Sequence, residues 1–100
     1  MMKNVEKELK TKEVKEFYQA ILALKNEKEC ELFLRDLFTF EELQEATRRF
    51  RVAKLLTKNI SFRNIEKKTK MSSTTISRIN FWLHHGTGGY MLILKRLKLI

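Results

Sequence analysis

The residues from Ser72 to Arg78 place several hydroxyl groups beside one guanidinium group within a single short segment. Serine and threonine hydroxyls both donate and accept hydrogen bonds, and arginine binds phosphate or the edge of guanine. Side chains of these types contact base edges and phosphates when a helix presents them to duplex DNA. Because serine also caps helices, we expect Ser72 or Ser73 to serve as a cap too. The candidate DNA-contacting residues of this segment are Ser72, Ser73, Thr74, Thr75, Ser77 and Arg78.

The apolar residues in and around this segment predict the helices that position it. Their spacing suits two short helices that cross over one small core. We predict one helix over residues 62–69 with Ser61 as its cap, then a tight turn, then a second helix from 73 to about 84. Two helices so arranged form a helix-turn-helix, whose second helix enters the major groove. The apolar residues concerned are Ile65, Met71, Ile76 and Ile79.

Basic residues on the first of these helices extend the candidate site. Arg63 lies in the first turn of the predicted helix, where a cation opposes the helix dipole, so a purely structural reason for this residue is weak. Lys67, Lys68 and Lys70 are expected to contact phosphates or to remain solvated. The turn at Lys70 requires a positive φ, for which glycine is usual, and a lysine there costs about 1 kcal/mol.

The distribution of charge supports a polyanionic partner for this part of the chain. Residues 1–50 contain ten Lys and Arg against eleven Asp and Glu, whereas residues 51–100 contain eleven Lys and Arg and one acid, Glu66. The excess of positive charge, +9 for the whole chain, therefore lies in the half that contains the predicted helix-turn-helix.

No catalytic or metal-binding pattern accompanies these residues. The basic half has no paired carboxylates, and the single cysteine, Cys30, lies far from both histidines in the sequence. His84 and His85 are adjacent, so they do not face one site on a helix, and cations suit a helix C-terminus for structural reasons. We therefore expect neither an enzyme nor a metal site.

The rest of the chain is predicted to be helical and to form one domain over residues 1–100. It has no proline, and its three glycines all lie within residues 86–89. Further helices are predicted over about 3–24, after Asn26, from Thr39 to about Thr57, and over 90–100, which gives an all-α chain of six helices. The last segment is apolar on nearly every side, so we expect it to be buried, for example against a second subunit. The other residues expected in the core include Phe17, Ile21, Leu24, some of Leu32, Phe33, Leu34 and Leu37, and Leu43, Ala46, Phe50, Ala53 and Leu56 or their neighbours.

The composition predicts a cytoplasmic location. The first thirty residues are too rich in Lys and Glu for a signal peptide, and the longest apolar run, 90–94, is too short to span a bilayer. A single cysteine cannot form an internal disulfide, which indicates a reducing environment.

The order of these features resembles that of the Trp repressor superfamily. The resemblance covers residues 33–90 and rests on the place of the helix-turn-helix among six helices, on Thr39 opening a helix and on the stretch TISR at 75–78. The segment GTGGY at 86–90 resembles the YerC/YecD-type branch of that superfamily. The resemblance implies an intertwined all-helical homodimer that represses transcription from a palindromic operator, with recognition helices about 34 Å apart. In the family the arginine that matches Arg63 contacts the operator, so we expect Arg63 to contact phosphate or guanine.

The resemblance also implies an effector pocket formed by Thr39, Arg49 and Arg78. Guanidinium groups stack on aromatic rings and bind carboxylates, so an amino-acid effector is chemically reasonable. Two differences argue against tryptophan, because Ile79 and Trp82 stand where the repressor has a glycine and a serine. We expect these two side chains to fill the pocket, so that no cofactor is needed.

A homodimeric, sequence-specific repressor is thus the leading interpretation, with alternatives that stay open. One is a helical protein-interaction module that has lost DNA binding, and another is a repressor controlled by tryptophan or another amino acid. RNA binding by the basic half is less favoured. Phe81, Trp82 and Tyr90 are expected to be core or dimer contacts, which leaves no stacking aromatics on the exposed face of the second helix.

Overall fold

The fold of this chain is all-helical, as the sequence predicts. A computed structural model describes residues 2–100, with side chains from Val5 onward, and the described residues contain helices and no strand. The helices are α1 (Met2–Glu8), α2 (Lys12–Leu22), α3 (Glu27–Leu37), α4 (Phe40–Thr57), α5 (Phe62–Thr69), α6 (Ser73–His85) and α7 (Gly89–Arg96).

The first predicted helix is in fact two helices, which raises the count over the described residues from six to seven. Residues 9–11 separate α1 from α2, and Thr11 adopts an extended conformation with φ −69° and ψ 163°. Its Oγ1 accepts a hydrogen bond from the amide of Val14 at 3.3 Å. Thr11 therefore caps a new helix, and a local cap interrupts what the apolar pattern alone would continue.

The cap predicted at the start of α3 is confirmed. Asn26 Oδ1 accepts a hydrogen bond from the amide of Glu29 at 2.9 Å. The Glu29 carboxylate accepts in return from the amide of Lys25, also at 2.9 Å, one residue before the position expected for a capping box. The reciprocal pair satisfies two amides that the helix itself leaves unbonded.

The chain divides into two compact units, one that reaches to Thr39 and one from Phe40 to Ile100. In the first unit the rings of Phe17 and Phe33 lie 6.4 Å apart, yet no side chain of α2 or α3 is fully buried. The predicted apolar stripe therefore exists, but in the single chain it is only partly covered. A single domain over residues 1–100 stays a prediction.

The hydrophobic core lies in the second unit, where α4 packs against α5, α6 and α7. On α4 the buried residues are Val52 and Ala53, whereas Ala46 is exposed, which corrects that part of the predicted core. Leu43, Phe50 and Leu56 are half-buried. The packed cluster consists of Val52, Ala53, Ile65, Met71, Ile76, Ile79 and Leu94.

The segment predicted to be buried at the end of the chain is a helix, but only Leu94 of α7 is fully buried in the single chain. Leu92, Ile93 and Leu97 are exposed. The helix ends in a turn where Lys98 adopts φ 57° and the amide of Leu99 donates to the carbonyl of Leu94 at 2.9 Å. This is the Schellman type of helix end, and Leu99 packs against the core.

No helix among residues 2–100 is long and apolar enough to cross a membrane.

Candidate nucleic-acid interface

The helix-turn-helix predicted from the sequence is present, with nearly the predicted bounds. α5 covers Phe62–Thr69 and α6 covers Ser73–His85. Ser61 caps α5, since its Oγ accepts from the amide of Asn64 at 3.2 Å. Both helices pack on α4 and on each other, and the core side chains that hold them are Ile65, Met71, Ile76, Ile79 and Leu83.

The turn between α5 and α6 is held by backbone and side-chain hydrogen bonds. Lys70 adopts the left-handed conformation with φ 58° and ψ 24°, as predicted for this position. Its amide donates to the carbonyl of Glu66 at 2.8 Å, which closes the helix. The buried hydroxyl of Thr69 donates to the carbonyl of Ile65 at 2.7 Å and accepts from the amide of Met71 at 3.3 Å. The turn therefore has one defined geometry.

The hydroxyl residues of the candidate site divide into two groups. Ser72 caps α6, because its Oγ accepts from the amide of Thr75 at 3.2 Å and lies 3.0 Å from the Thr75 hydroxyl. Thr75 is half-buried, whereas Ser73, Thr74 and Ser77 are exposed. The face of α6 opposite the core thus presents three hydroxyls to solvent, while Ser72 and Thr75 stabilise the start of the helix.

The basic residues of the candidate site are all exposed, and they belong to the unit that contains the net charge. Residues 40–100 contain thirteen Lys and Arg and four Asp and Glu. Arg63 lies in the first turn of α5, and Lys67 and Lys68 lie in its last turn. Arg78 lies on α6 beside the exposed hydroxyls. The helix-turn-helix therefore carries exposed cations on both of its helices.

Arg51 is a residue that the sequence interpretation missed. Its guanidinium Nη1 donates to the carbonyl oxygen of Lys68 at 3.2 Å, which joins α4 to the last turn of α5. A cation at a helix C-terminus interacts favourably with the helix dipole. The two residues are seventeen positions apart, so no local pattern indicates this contact.

A groove of about 730 Å³ follows the exposed face of α6. On α6 Phe81 is 53% exposed and Trp82 48%, and Phe62, which begins α5, is 39% exposed. The expectation that Phe81 and Trp82 are core contacts is therefore wrong for the single chain, whereas a role as dimer contacts stays a prediction. The Phe81 ring lies 5.4 Å from that of Trp82 in an edge-to-face arrangement and 5.0 Å from that of His85. The groove is lined by Phe62, Ser73, Thr74, Ser77, Arg78, Phe81 and Trp82.

The residues expected to form an effector pocket lie on different elements. Thr39 immediately precedes α4, as predicted. Arg49 lies on α4, where its Nε is 3.6 Å from Glu45 Oε1, whereas Arg78 lines the groove on α6. Ile79 is buried in the core, and Trp82 lines both the groove and a smaller cavity of about 400 Å³ beside Tyr90.

The histidines have the surroundings expected of a helix end. His84 and His85 lie in the last turn of α6 and are exposed. Among the described residues no group of His, Cys, Asp or Glu side chains is arranged to hold a metal ion.

The fold and this surface define a helix-turn-helix protein of the all-α class. The family model for the Trp repressor protein matches residues 12–98, and the chain belongs to that family. It is 37% identical over 90 residues to the uncharacterized protein YerC of Bacillus subtilis (strain 168), a match that covers 90% of this chain and 86% of that protein. This relative supports the YerC-type assignment within the family.

Two crystal structures share the fold closely. A TrpR-like protein from Eubacterium eligens ATCC 27750 matches with a TM-score of 0.91 and 38% identity, over 94% of this chain and 97% of the other. A proposed Trp repressor from Staphylococcus aureus matches with a TM-score of 0.90 and 34% identity, over 94% of each chain. The family is one of regulators and not of enzymes.

Proposed function

We propose that this protein is a sequence-specific, duplex-DNA-binding transcriptional regulator, most simply a repressor, that acts as a homodimer. The observation that carries the proposal is the two-sided character of α6. Ile76, Ile79 and Leu83 are buried on one side, and the exposed hydroxyls of Ser73, Thr74 and Ser77 lie on the other. A recognition helix needs an apolar side to fix its position and a polar side to contact base edges.

The exposed cations of the helix-turn-helix support the same function. Arg63, Lys67, Lys68 and Arg78 are exposed on α5 and α6, and cations on these helices can neutralise phosphates and set the register on the duplex. The Ser73, Thr74 and Ser77 hydroxyls can each donate or accept a hydrogen bond, so they can pair with several bases. We therefore expect modest direct base specificity and some base contacts that are mediated by water.

Unpaired apolar surface supports the homodimer. In the first unit Phe17, Tyr18, Ile21 and Leu22 are exposed, and in the second Leu92, Ile93 and Leu97 are exposed. Side chains of this size are costly to leave in water, and a second copy would bury them. Two recognition helices would then lie about 34 Å apart, so the operator is expected to be palindromic.

We further propose that DNA binding needs no amino-acid effector. Ile79 takes up space within the core, and the Arg49 guanidinium lies beside the Glu45 carboxylate. Both features should weaken the binding of an effector's carboxylate and aromatic ring by Thr39, Arg49 and Arg78.

The test is selection of bound sequences from a randomised duplex pool, with and without a mixture of amino acids. We expect one palindromic site to be enriched without additives, by a protein that sediments as a dimer. Enrichment only with an amino acid would replace our proposal with effector-controlled repression. A monomer that binds all duplexes alike, or none, would contradict regulation through DNA and favour an interaction module.

A charge-matched pair of double variants tests whether the helix-turn-helix carries the binding. Arg63→Ala with Arg78→Ala should weaken binding to the selected site by at least about tenfold. Arg35→Ala with Arg48→Ala removes the same charge from exposed positions on α3 and α4 and should cost much less. Equal losses in both variants would mean that net charge alone attracts the DNA.

A further inference from the structure

The groove along α6 contains apolar rings that DNA-backbone binding does not require. Phe62 is the first residue of α5, directly before Arg63, and its ring lines the same groove as Ser73, Thr74 and Ser77. It is 39% exposed. Exposing a phenyl ring to water beside a polar recognition face is unfavourable in free energy. A surface that contacts only phosphates would not need such a ring.

Phe62 and the other two rings of the groove differ in their surroundings. Phe81 packs against the rings of Trp82 and His85, toward the C-terminal end of α6. Eight residues of helix separate Phe81 from Ser73, which is about 12 Å along the axis. Phe62 is carried by the other helix of the motif and begins the turn that presents Arg63. Phe62 is therefore directly beside the predicted contact Arg63, whereas Phe81, one turn after Arg78, is packed against other rings.

The charge around the groove restricts what can occupy it. Arg78 lines the groove, Arg63 follows Phe62, and the only acid among residues 51–100 is Glu66. An occupant of the groove therefore has to be negatively charged and to offer an apolar group to the ring. Duplex DNA meets both requirements, because it is a polyanion whose major groove exposes one apolar group, the C5-methyl of thymine. Apolar side chains such as phenylalanine contact this methyl group in direct base recognition.

We propose that Phe62 is a specificity-determining residue that contacts the methyl group of a thymine in each half-site of the operator. The inference rests on the proposed function, since it requires that α5 and α6 dock in the major groove. It adds a base preference that the hydroxyls alone do not supply, because a hydroxyl can form hydrogen bonds with several different bases.

The experiment replaces each thymine of the selected duplex, one at a time, with deoxyuridine. This change removes only the methyl group and keeps base pairing and the other groove atoms. For the unaltered protein we expect at least one position per half-site where binding weakens about four-fold, the effect of exposing one buried methyl group. Phe62→Ala should bind the thymine and deoxyuridine duplexes equally at that position.

Two further variants make the result specific to this ring. Phe62→Leu keeps an apolar side chain and should retain part of the methyl preference, which shows that a folded protein was measured. Phe81→Ala removes another ring of the same groove and should retain the preference in full.

The outcomes separate this inference from the function on which it rests. Tight, sequence-specific binding that tolerates deoxyuridine everywhere would overturn the role of Phe62 and leave the proposed function standing. A preference that survives in Phe62→Ala, or that disappears in Phe81→Ala instead, would overturn it as well. Failure to bind any duplex, or stronger binding to the single strand, would overturn both.

Discussion

The guanidinium of Arg51 donates a hydrogen bond to the carbonyl oxygen of Lys68 at 3.2 Å and so ties α4 to the end of α5. Arg51 is exposed, but it directly precedes the buried residues Val52 and Ala53 on α4, so its backbone is held in place by the core. The contact joins α4 to the turn of α5 that carries Lys67 and Lys68.

Replacing Arg51 should therefore loosen this connection. Arg51→Met keeps the apolar stem and removes the donor, and we expect the free energy of unfolding to fall by about 1 kcal/mol, because the bond is charge-assisted but exposed. Urea denaturation measures the change. Arg48→Met, one turn earlier on α4 and also exposed, is the control and should change stability by less than about 0.5 kcal/mol. Equal losses in both would mean that the contact contributes nothing.

Two lysines in the left-handed conformation allow stability and DNA binding to be separated. Lys70 has φ 58° and Lys98 has φ 57°. Glycine relieves the steric cost but gives the unfolded chain more freedom, so each Lys→Gly change should stabilise the fold by up to about 1 kcal/mol. Only Lys70→Gly should weaken DNA binding and lower the slope of log affinity against log salt by about 1, because Lys70 lies in the helix-turn-helix.

The measurement is thermal unfolding of both variants together with DNA titrations at several salt concentrations. A Lys98→Gly protein with the same loss of binding would remove Lys70 from the interface. A destabilised Lys70→Gly protein would show that the lysine side chain supports the turn.

The two kinds of serine at the start of α6 should respond differently to alanine. Ser72→Ala removes the cap that accepts from the Thr75 amide, and the free energy of unfolding should fall by about 1 kcal/mol. Ser77 is exposed on the proposed recognition face, so Ser77→Ala should change stability by less than about 0.5 kcal/mol and reduce the preference for the selected site over random DNA. Unchanged preference in a fully stable Ser77→Ala protein would show that this hydroxyl makes no base contact.

The glycines after α6 are not equivalent, and alanine should distinguish them. A Cβ at Gly86 would collide with the backbone carbonyl oxygen of Trp82, the group to which the Gly86 amide donates at 2.8 Å. Gly86→Ala should therefore cost about 1–3 kcal/mol, since a backbone atom has to move. At Gly89 the nearest atom to an added Cβ is Thr87 Oγ1 at 3.7 Å, so Gly89→Ala should be neutral or stabilise α7 by up to about 1 kcal/mol. Calorimetric melting of both variants checks this, and equal tolerance would mean that the end of α6 is free to adjust.

Local features of this protein are determined by the sequence itself. The bounds of α5, its cap at Ser61 and a serine cap at Ser72 or Ser73 are predictable, because each depends on residues three or four positions away. The left-handed conformation at Lys70 follows from the turn that a helix-turn-helix usually contains. The location of the positive charge follows in the same way, since it needs only a count along the chain. The break at Thr11 is also a local feature, because its cap involves Val14 three positions on, but the apolar pattern did not predict it.

Only the tertiary structure decided which apolar and cationic groups are covered. Val52 is buried and Ala46 is exposed on the same helix, because α5, α6 and α7 cross α4 near its C-terminal half. The exposure of Phe81 and Trp82, and the bond from Arg51 to Lys68, also depend on how helices far apart in sequence meet. Helix periodicity determines which side chains share a face, but burial depends on the partner that covers the face, and that partner is set by packing in three dimensions.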